Sequence, residues 1–297
     1  MKALTAVIRR PIPAIFAWPD YCRTGERLAI AYFVYIALLA SWHGLPVSKR
    51  LSAWLIPLAI WTLAAVESKF TRPWSRVTRD WATLGLIVPA YRQVDWFAGS
   101  PFLSRWQDWL VGWDRLLLDR LGLRAAIESL GWIIPSSLEG VYFCLYLIPP
   151  ACMGVLYMRL RRPEVLRFLT TLMMGTLCAY ALLPHIPLAG PREAFPGADL
   201  PRFGGVLRAV NSWMLDRFDI ATSVLPSGHV AVAFSCAFGL MRAIPRRRLV
   251  WTGAFVVAAM VYTATIYCRY HYAADGLTSI LISAAAWRVS GVIDEKA

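Results

Sequence analysis

Charge is scarce in this sequence. Asp, Glu, Lys and Arg supply only 16% of its 297 residues, against roughly 25% in a soluble domain, which uses them to cover its surface. The shortage excludes a soluble nucleotide-binding enzyme, and the high apolar content excludes a disordered chain. Paired cysteine motifs are missing as well. Cys22, Cys144, Cys152, Cys178, Cys236 and Cys268 form no C-x-x-C pair, and most stand inside apolar runs. They read as small buried hydrophobes rather than as a disulfide framework or metal ligands. No internal repeat, low-complexity tract or domain boundary is present. The first residues do not have the form of a cleavable signal, since Arg9, Arg10 and Pro11 interrupt the opening apolar stretch.

What the chain has in abundance is apolar surface. Hydrophobic residues make up 58% of it, mean hydropathy is +0.50, and the charges bunch between long apolar runs. This is the composition of an integral membrane protein. The net charge of +13 sits in short segments between those runs, as in the cytoplasmic loops of a polytopic protein. A nucleic-acid partner would need a basic face on a folded soluble domain, so none is expected.

A helix needs about 20 mostly apolar residues to cross the hydrocarbon. Eight runs are candidates: Leu28–Val47, Leu51–Val66, the short Trp81–Tyr91, Gly140–Met158, Phe168–Leu188, Ile220–Met241, Leu249–Cys268 and Tyr272–Trp287. Three basic tetrads follow the second, fourth and sixth: Lys69, Arg72, Arg76, Arg79; Arg159, Arg161, Arg162, Arg167; and Arg242, Arg246, Arg247, Arg248. All three are cytoplasmic only if the short third run also spans, and the basic N-terminal residues Lys2, Arg9, Arg10, Arg23 and Arg27 then lie inside too. The expected fold is therefore all-α, a polytopic transmembrane helical bundle of about eight spans with both termini cytoplasmic. Residues 1–297 form a single membrane domain. In it, 1–135 supply N-terminal spans and an external interfacial helix, and 136–297 the catalytic helical core. The interfacial helix is read from Phe102, Leu103, Trp106, Trp109, Leu110, Trp113, Leu116 and Leu117, which recur at helical spacing beside charged residues. A helix packed over the bundle mouth is the other reading of that pattern.

Ionisable residues at span ends are costly, and each is a candidate site. The external ends of the last four runs collect His185, Arg192, Ser227, Gly228, His229, Arg269, His271 and Asp275, including three of the four histidines. The fourth, His43, stands alone and reads as an interfacial residue. His271 and Asp275 are four apart, on one helix face. The Asp can set the imidazole tautomer and leave the other nitrogen free as a nucleophile or base. Pro226-Ser227-Gly228-His229 opens a helix whose N–H groups and dipole suit an anion, with a histidine placed to protonate a departing oxygen. Arg192 and Arg269 are planar, multidentate cations suited to phosphate. Arg208 and Arg217 read as ordinary interfacial arginines.

P-S-G-H followed about forty residues later by H-x3-D resembles the type 2 phosphatidate phosphatase superfamily. The second family block matches in full at Pro226–His229. In the third, His271 and Asp275 match, while the usual Ser-Arg positions fall on Ala264 and Thr265, with Arg269 two residues before the histidine. In the first, Arg192 matches and His185 occupies the lysine position. His271-Tyr272-Ala273-Ala274-Asp275 is similar to the inositol phosphorylceramide and sphingomyelin synthase branch. So, less specifically, are Tyr91-Arg92-Gln93-Val94-Asp95 and Trp113-Asp114-Arg115. The resemblance implies that His271 attacks phosphorus, Asp275 orients it and His229 protonates the leaving group. Ser227, Gly228, Arg192, Arg269 and His185 would hold the phosphoryl oxygens. It implies a phosphohistidine intermediate, no metal and no cofactor. The partners implied are a lipid phosphate or phospholipid substrate, with water, a polyol or a lipid alcohol as acceptor. The setting is the plasma (cytoplasmic) membrane, with the site on its external face. Two other classes stand beside this one: a metal-dependent intramembrane hydrolase using His229, His271 and Asp275 as ligands, and a non-catalytic lipid-binding or transport protein.

Overall fold

The computed structural model describes residues 18–69, 73–98, 105–159, 162–186, 188–197, 200–220 and 225–294. Lys2, Arg9, Arg10, Arg72 and Arg161, named above for topology, lie outside them. Every regular element among the described residues is helical. Among the described residues, six segments are long and apolar enough to cross a membrane. They are α1 (Thr24–Trp42), α2 (Val47–Lys69), α7 (Ile133–Phe143) continued through a 3₁₀ turn into α8 (Ile148–Arg159), α9 (Arg162–Leu182), α13 (Arg248–Tyr267) and α14 (Ala273–Asp294). Their outer faces carry Leu51, Leu55, Leu58, Leu63 and Val66 on α2 and Leu249 and Val256 on α13, all exposed. An apolar wall of this extent belongs in lipid. The protein is an integral membrane protein built as a helical bundle.

Two of the eight expected runs take other forms. The third divides between α3 (Pro73–Gly85) and α4 (Ile87–Val94). At 13 residues, and with Arg76, Arg79 and Asp80 in it, α3 is too short and too polar to count as an apolar span by itself. The sixth begins later than expected, because Ser227 caps a helix starting at Gly228, and α12 covers only Gly228–Ala243.

The inner bundle packs α9, α12 and α14 through small residues. Thr171 and Ser290 hydroxyls meet at 3.0 Å, and Ser235 donates to Ser283 at 3.0 Å. A Cβ on Gly175 would run into Ser235, and one on Gly239 would lie 2.8 Å from the Phe168 ring. Helices in lipid lack a hydrophobic force between them and associate through such close approaches and interhelical hydrogen bonds.

Charge marks one end of the bundle. Arg23, just before α1, pairs with Asp80. Arg79 pairs with Glu26 and, at 2.6 Å, with Glu67. Arg162 stands 3.8 Å from Asp80, which also accepts from the Tyr157 hydroxyl at 2.5 Å. From here α9 runs about 30 Å, at 1.5 Å per residue, to Tyr180, whose ring packs against Gly228 at the start of α12.

Over that second end lies α5 (Arg105–Arg115), followed by a π turn and α6 (Leu123–Ser129). Gln107, Leu110 and Asp114 face inward and are buried, while Trp109 and Trp113 are exposed. The segment expected to lie in the interface is thus packed over the bundle mouth, with Trp109 and Trp113 outward. Cys22, Cys152, Cys236 and Cys268 are buried and free; Cys144 and Cys178 are free and exposed.

Candidate active site

Ser227 starts α12, its hydroxyl accepting from the Val230 N–H at 3.4 Å. The Ser227 N–H donates to the Asp275 carbonyl at 3.1 Å, and the Ser279 hydroxyl donates to the Ser227 carbonyl at 2.8 Å. The first turns of α12 and α14 are therefore laced together. Gly228 fits between two rings: a Cβ there would lie 2.9 Å from Tyr180 and 3.4 Å from Tyr91. Only glycine lets the helix start this close to them.

α13 ends in a tight hook. The Thr265 carbonyl accepts from the N–H groups of Tyr270 and His271, both at 2.9 Å, and Arg269 takes a left-handed conformation with φ 65°. A non-glycine residue there costs about 1–2 kcal/mol. The side chain's anchor offsets this: the buried Arg269 guanidinium pairs through Nη1 with Asp114 of α5. Asp114 also accepts from the Ala273 N–H at 2.8 Å. Burial pushes the Asp114 carboxyl above its ordinary range, while Arg269 and the Ala273 N–H work in the opposite direction.

The hook delivers His271 to His229. His229 Nδ1 and His271 Nε2 are 3.2 Å apart. On the far side of the second ring, His271 Nδ1 is 3.6 Å from Asp275 Oδ2, which accepts from the Tyr272 N–H at 2.9 Å. All three side chains are buried. Around His229 stand the rings of Tyr142 at 5.5 Å, Tyr91 at 6.0 Å and Tyr146 at 6.1 Å. The Tyr146 hydroxyl is 3.4 Å from His229 Nε2. Tyr91 donates to Asp219. Among the described residues, no group of three His, Cys, Asp or Glu side chains is arranged to hold a metal ion.

An apolar cavity of about 510 Å³ reaches His229 and Gly228 from the side. Leu84, Ile87, Leu145, Pro149, Met214 and Val232 line it. Trp81, Val88, Tyr146 and Phe218, also in its wall, are exposed on the bundle's outer surface. The cavity therefore opens through the apolar flank of the protein.

Ser227, Gly228, His229, His271 and Asp275 come together as their spacing suggests. Arg269 lies beside them with its guanidinium on Asp114. Arg192 and His185 have partners elsewhere. Arg192, in the short helix α10 (Pro191–Ala194), pairs with Asp216 of α11 (Gly205–Phe218). His185 is exposed and bonds the Tyr35 hydroxyl of α1 at 2.6 Å. His43 is exposed, its ring against Phe97. Arg217 lies over the Trp213 ring. Arg208 differs from expectation and turns inward. It pairs with buried Glu139 at 3.1 Å, donates to the Cys268 carbonyl at 3.3 Å and stands over the Tyr270 ring. Glu139, buried on an apolar helix, also accepts from Asn211 and Tyr270, both at 2.7 Å. It gathers polar partners that single-residue reasoning left scattered. Tyr91 and Asp114 fall in stretches that resembled the synthase branch, which was the one available signal for them.

A sequence profile described as the PAP2 superfamily matches residues 108–289, more than half of the chain. The chain belongs to the PAP2 superfamily. The match runs from α5 through α14 and so takes in Asp114 as well as the two histidine motifs. Membership points to an enzyme of phosphatase type acting on phosphoesters. No curated protein and no solved structure matches the chain.

The Asp114–Arg269 pair gives a direct test of how this PAP2 site is held. Asp114→Ala leaves a buried guanidinium unpaired, and breaking a buried ion pair from one side costs about 3–5 kcal/mol. The expected outcome is a marked fall in the thermal unfolding midpoint in detergent. Arg115→Ala, at an exposed i,i+4 pair with Asp119, is expected to change stability by less than about 1 kcal/mol.

Proposed function

We propose that this protein cleaves a phosphate ester of a membrane lipid through a phosphohistidine on His271. The observation that carries the reading is the facing pair His229–His271, backed by Asp275, at the inner end of a cavity open to the apolar flank. A lipid can enter there with its chain along the apolar wall and its phosphate at the rings.

In the first step His271 Nε2 attacks phosphorus, so that the N–P bond forms as the ester P–O bond breaks. The departing lipid oxygen takes a proton from His229. Asp275 holds the His271 Nδ1 proton and stabilises the charge that builds on the ring, a contact that tightens when the phosphate parts the two imidazoles. In the second step water attacks phosphorus, His229 accepts its proton, and phosphate leaves with His271 restored. Charge on the equatorial oxygens meets the N–H groups at the start of α12 and the donors of Arg269 beyond its Nη1 contact with Asp114. Arg192 and His185 join this clamp by exchanging their Asp216 and Tyr35 contacts for phosphate. A polyol or lipid alcohol in the position of water would turn the same phosphohistidine into a transfer reaction. Release of free phosphate against appearance of a phosphodiester, from labelled lipid phosphates with and without inositol or diacylglycerol, separates the two.

His271→Ala is expected to abolish turnover, and Asp275→Asn to lower it by about 10⁴-fold, the scale seen when a histidine loses its orienting carboxylate. His229→Ala should cost least on substrates with acidic leaving groups, which need little protonation. More than a few per cent of wild-type turnover in folded His271→Ala would sink the phosphohistidine route.

Filling the flank cavity separates lipid binding from chemistry. Val232→Trp is expected to raise KM for long-chain lipid phosphates while a short, water-soluble phosphate ester is turned over at nearly the wild-type rate. Equal loss on both substrates would place the lipid elsewhere.

The sidedness follows from charge. The basic clusters at one end and the histidines at the other support, through the positive-inside bias, a topology with both termini in the cytoplasm, α3–α4 and α12 as crossings that complete eight, and the site on the external face of the plasma membrane. In a chain otherwise free of cysteine, Gly197→Cys is expected to react with an impermeant thiol reagent added outside intact cells and Arg247→Cys to be spared. The reverse pattern would move the site to the cytoplasm.

A further inference from the structure

A second polar cavity, of about 660 Å³, lies at the end of the bundle away from the histidines, between the starts of α1 and α9. Arg23, Arg27 and Arg167 reach it, together with the carboxylates Asp20 and Glu26. Glu26 is already committed, since it is buried, accepts two bonds from Arg79 and accepts the Arg23 N–H at 2.9 Å. Arg23 gives Nη1 to Asp80, yet its buried Nη2 has no acceptor among the described residues. Arg27 gives Nη2 to the Pro19 carbonyl at 3.2 Å, and its buried Nε has no acceptor among these residues either. Buried guanidinium N–H groups without acceptors are costly, and both arginines belong to the wall of this one cavity. A third arginine stands on an exposed part of its wall. The N-termini of α1 and α9 add positive partial charge at the same place.

We propose that this cavity binds a phosphate-type oxyanion, either inorganic phosphate or the headgroup of an anionic phospholipid. Planar guanidinium forks match the tetrahedral oxygens of such a group, and the volume leaves space for the atoms esterified to it. The site is independent of His229 and His271: α9 spans the distance between them, and none of its residues belongs to the histidine cluster.

The full-length protein, reconstituted in nanodiscs, tests this. The discs contain phosphatidylcholine alone, phosphatidylcholine with inorganic phosphate at fixed ionic strength, or phosphatidylcholine with added phosphatidylglycerol. A rise in unfolding midpoint with phosphate identifies the free anion, and a rise only with phosphatidylglycerol identifies the headgroup. In Arg27→Gln/Arg167→Gln that rise is expected to require at least about tenfold more ligand, as the loss of charge-assisted bonds implies, with phosphoester turnover unchanged. A double variant that responds like the wild type overturns the proposal, as does a wild type that responds in neither arm. Should the double variant not fold, Arg167→Gln alone, at an exposed position, is read in the same discs, and an unchanged response again overturns it.

Discussion

Ser279 donates to the Ser227 carbonyl while the Ser227 N–H donates to the Asp275 carbonyl, so the first turns of α12 and α14 are held in one register. In an apolar medium such bonds are hard to replace, because no water competes for the backbone groups they satisfy. The rest of the site depends on this register. It sets the level of His229 on one helix against that of Asp275 on the other. Since His271 lies four residues before Asp275, it is brought between them without any long-range element of its own.

Two buried carboxylates brace this arrangement from outside. Asp114 reaches down from α5 to the Arg269 guanidinium and the Ala273 N–H. Glu139 collects Arg208, Asn211 and Tyr270 from α11 and the hook after α13, and Tyr270 stacks on Tyr142 with ring centroids 4.2 Å apart. The left-handed Arg269 and the short segment 268–272 thus sit between two anchored walls. A histidine on an otherwise short loop is thereby given a defined position, which orientation-dependent chemistry requires.

Much of this was legible from local pattern. The four-residue spacing of His271 and Asp275 pointed to their proximity, although His271 lies in the hook before α14 rather than on a shared helix face, and Pro-Ser-Gly-His announced a capped helix start. The helical bundle followed from the apolar runs. The partners that lie far away in sequence were not legible. Asp114 is 155 residues from Arg269, and Asp219 is 128 from Tyr91; no periodicity connects such pairs. Arg208 reads as an interfacial arginine from sequence, because nothing near it reveals that Glu139 waits across the packing interface. The apolar stretch 81–91 gave no sign that it divides between α3 and α4, or that polar residues of α3 just before it pair with Arg23, Glu26 and Glu67.

The flank opening has a kinetic meaning. α5 roofs the mouth of the bundle, while the cavity at His229 leads out between α3–α4, α8 and α11 through the apolar flank. A molecule that arrives this way travels in two dimensions, and its supply is fixed by its mole fraction among neighbouring lipids rather than by its amount per volume of water. Diluting such a substrate with inert lipid would slow the protein even at constant total concentration, and a lipid that never reacts but fits the opening would act as a competitor simply by being abundant. The bilayer's composition then becomes a rate-controlling variable.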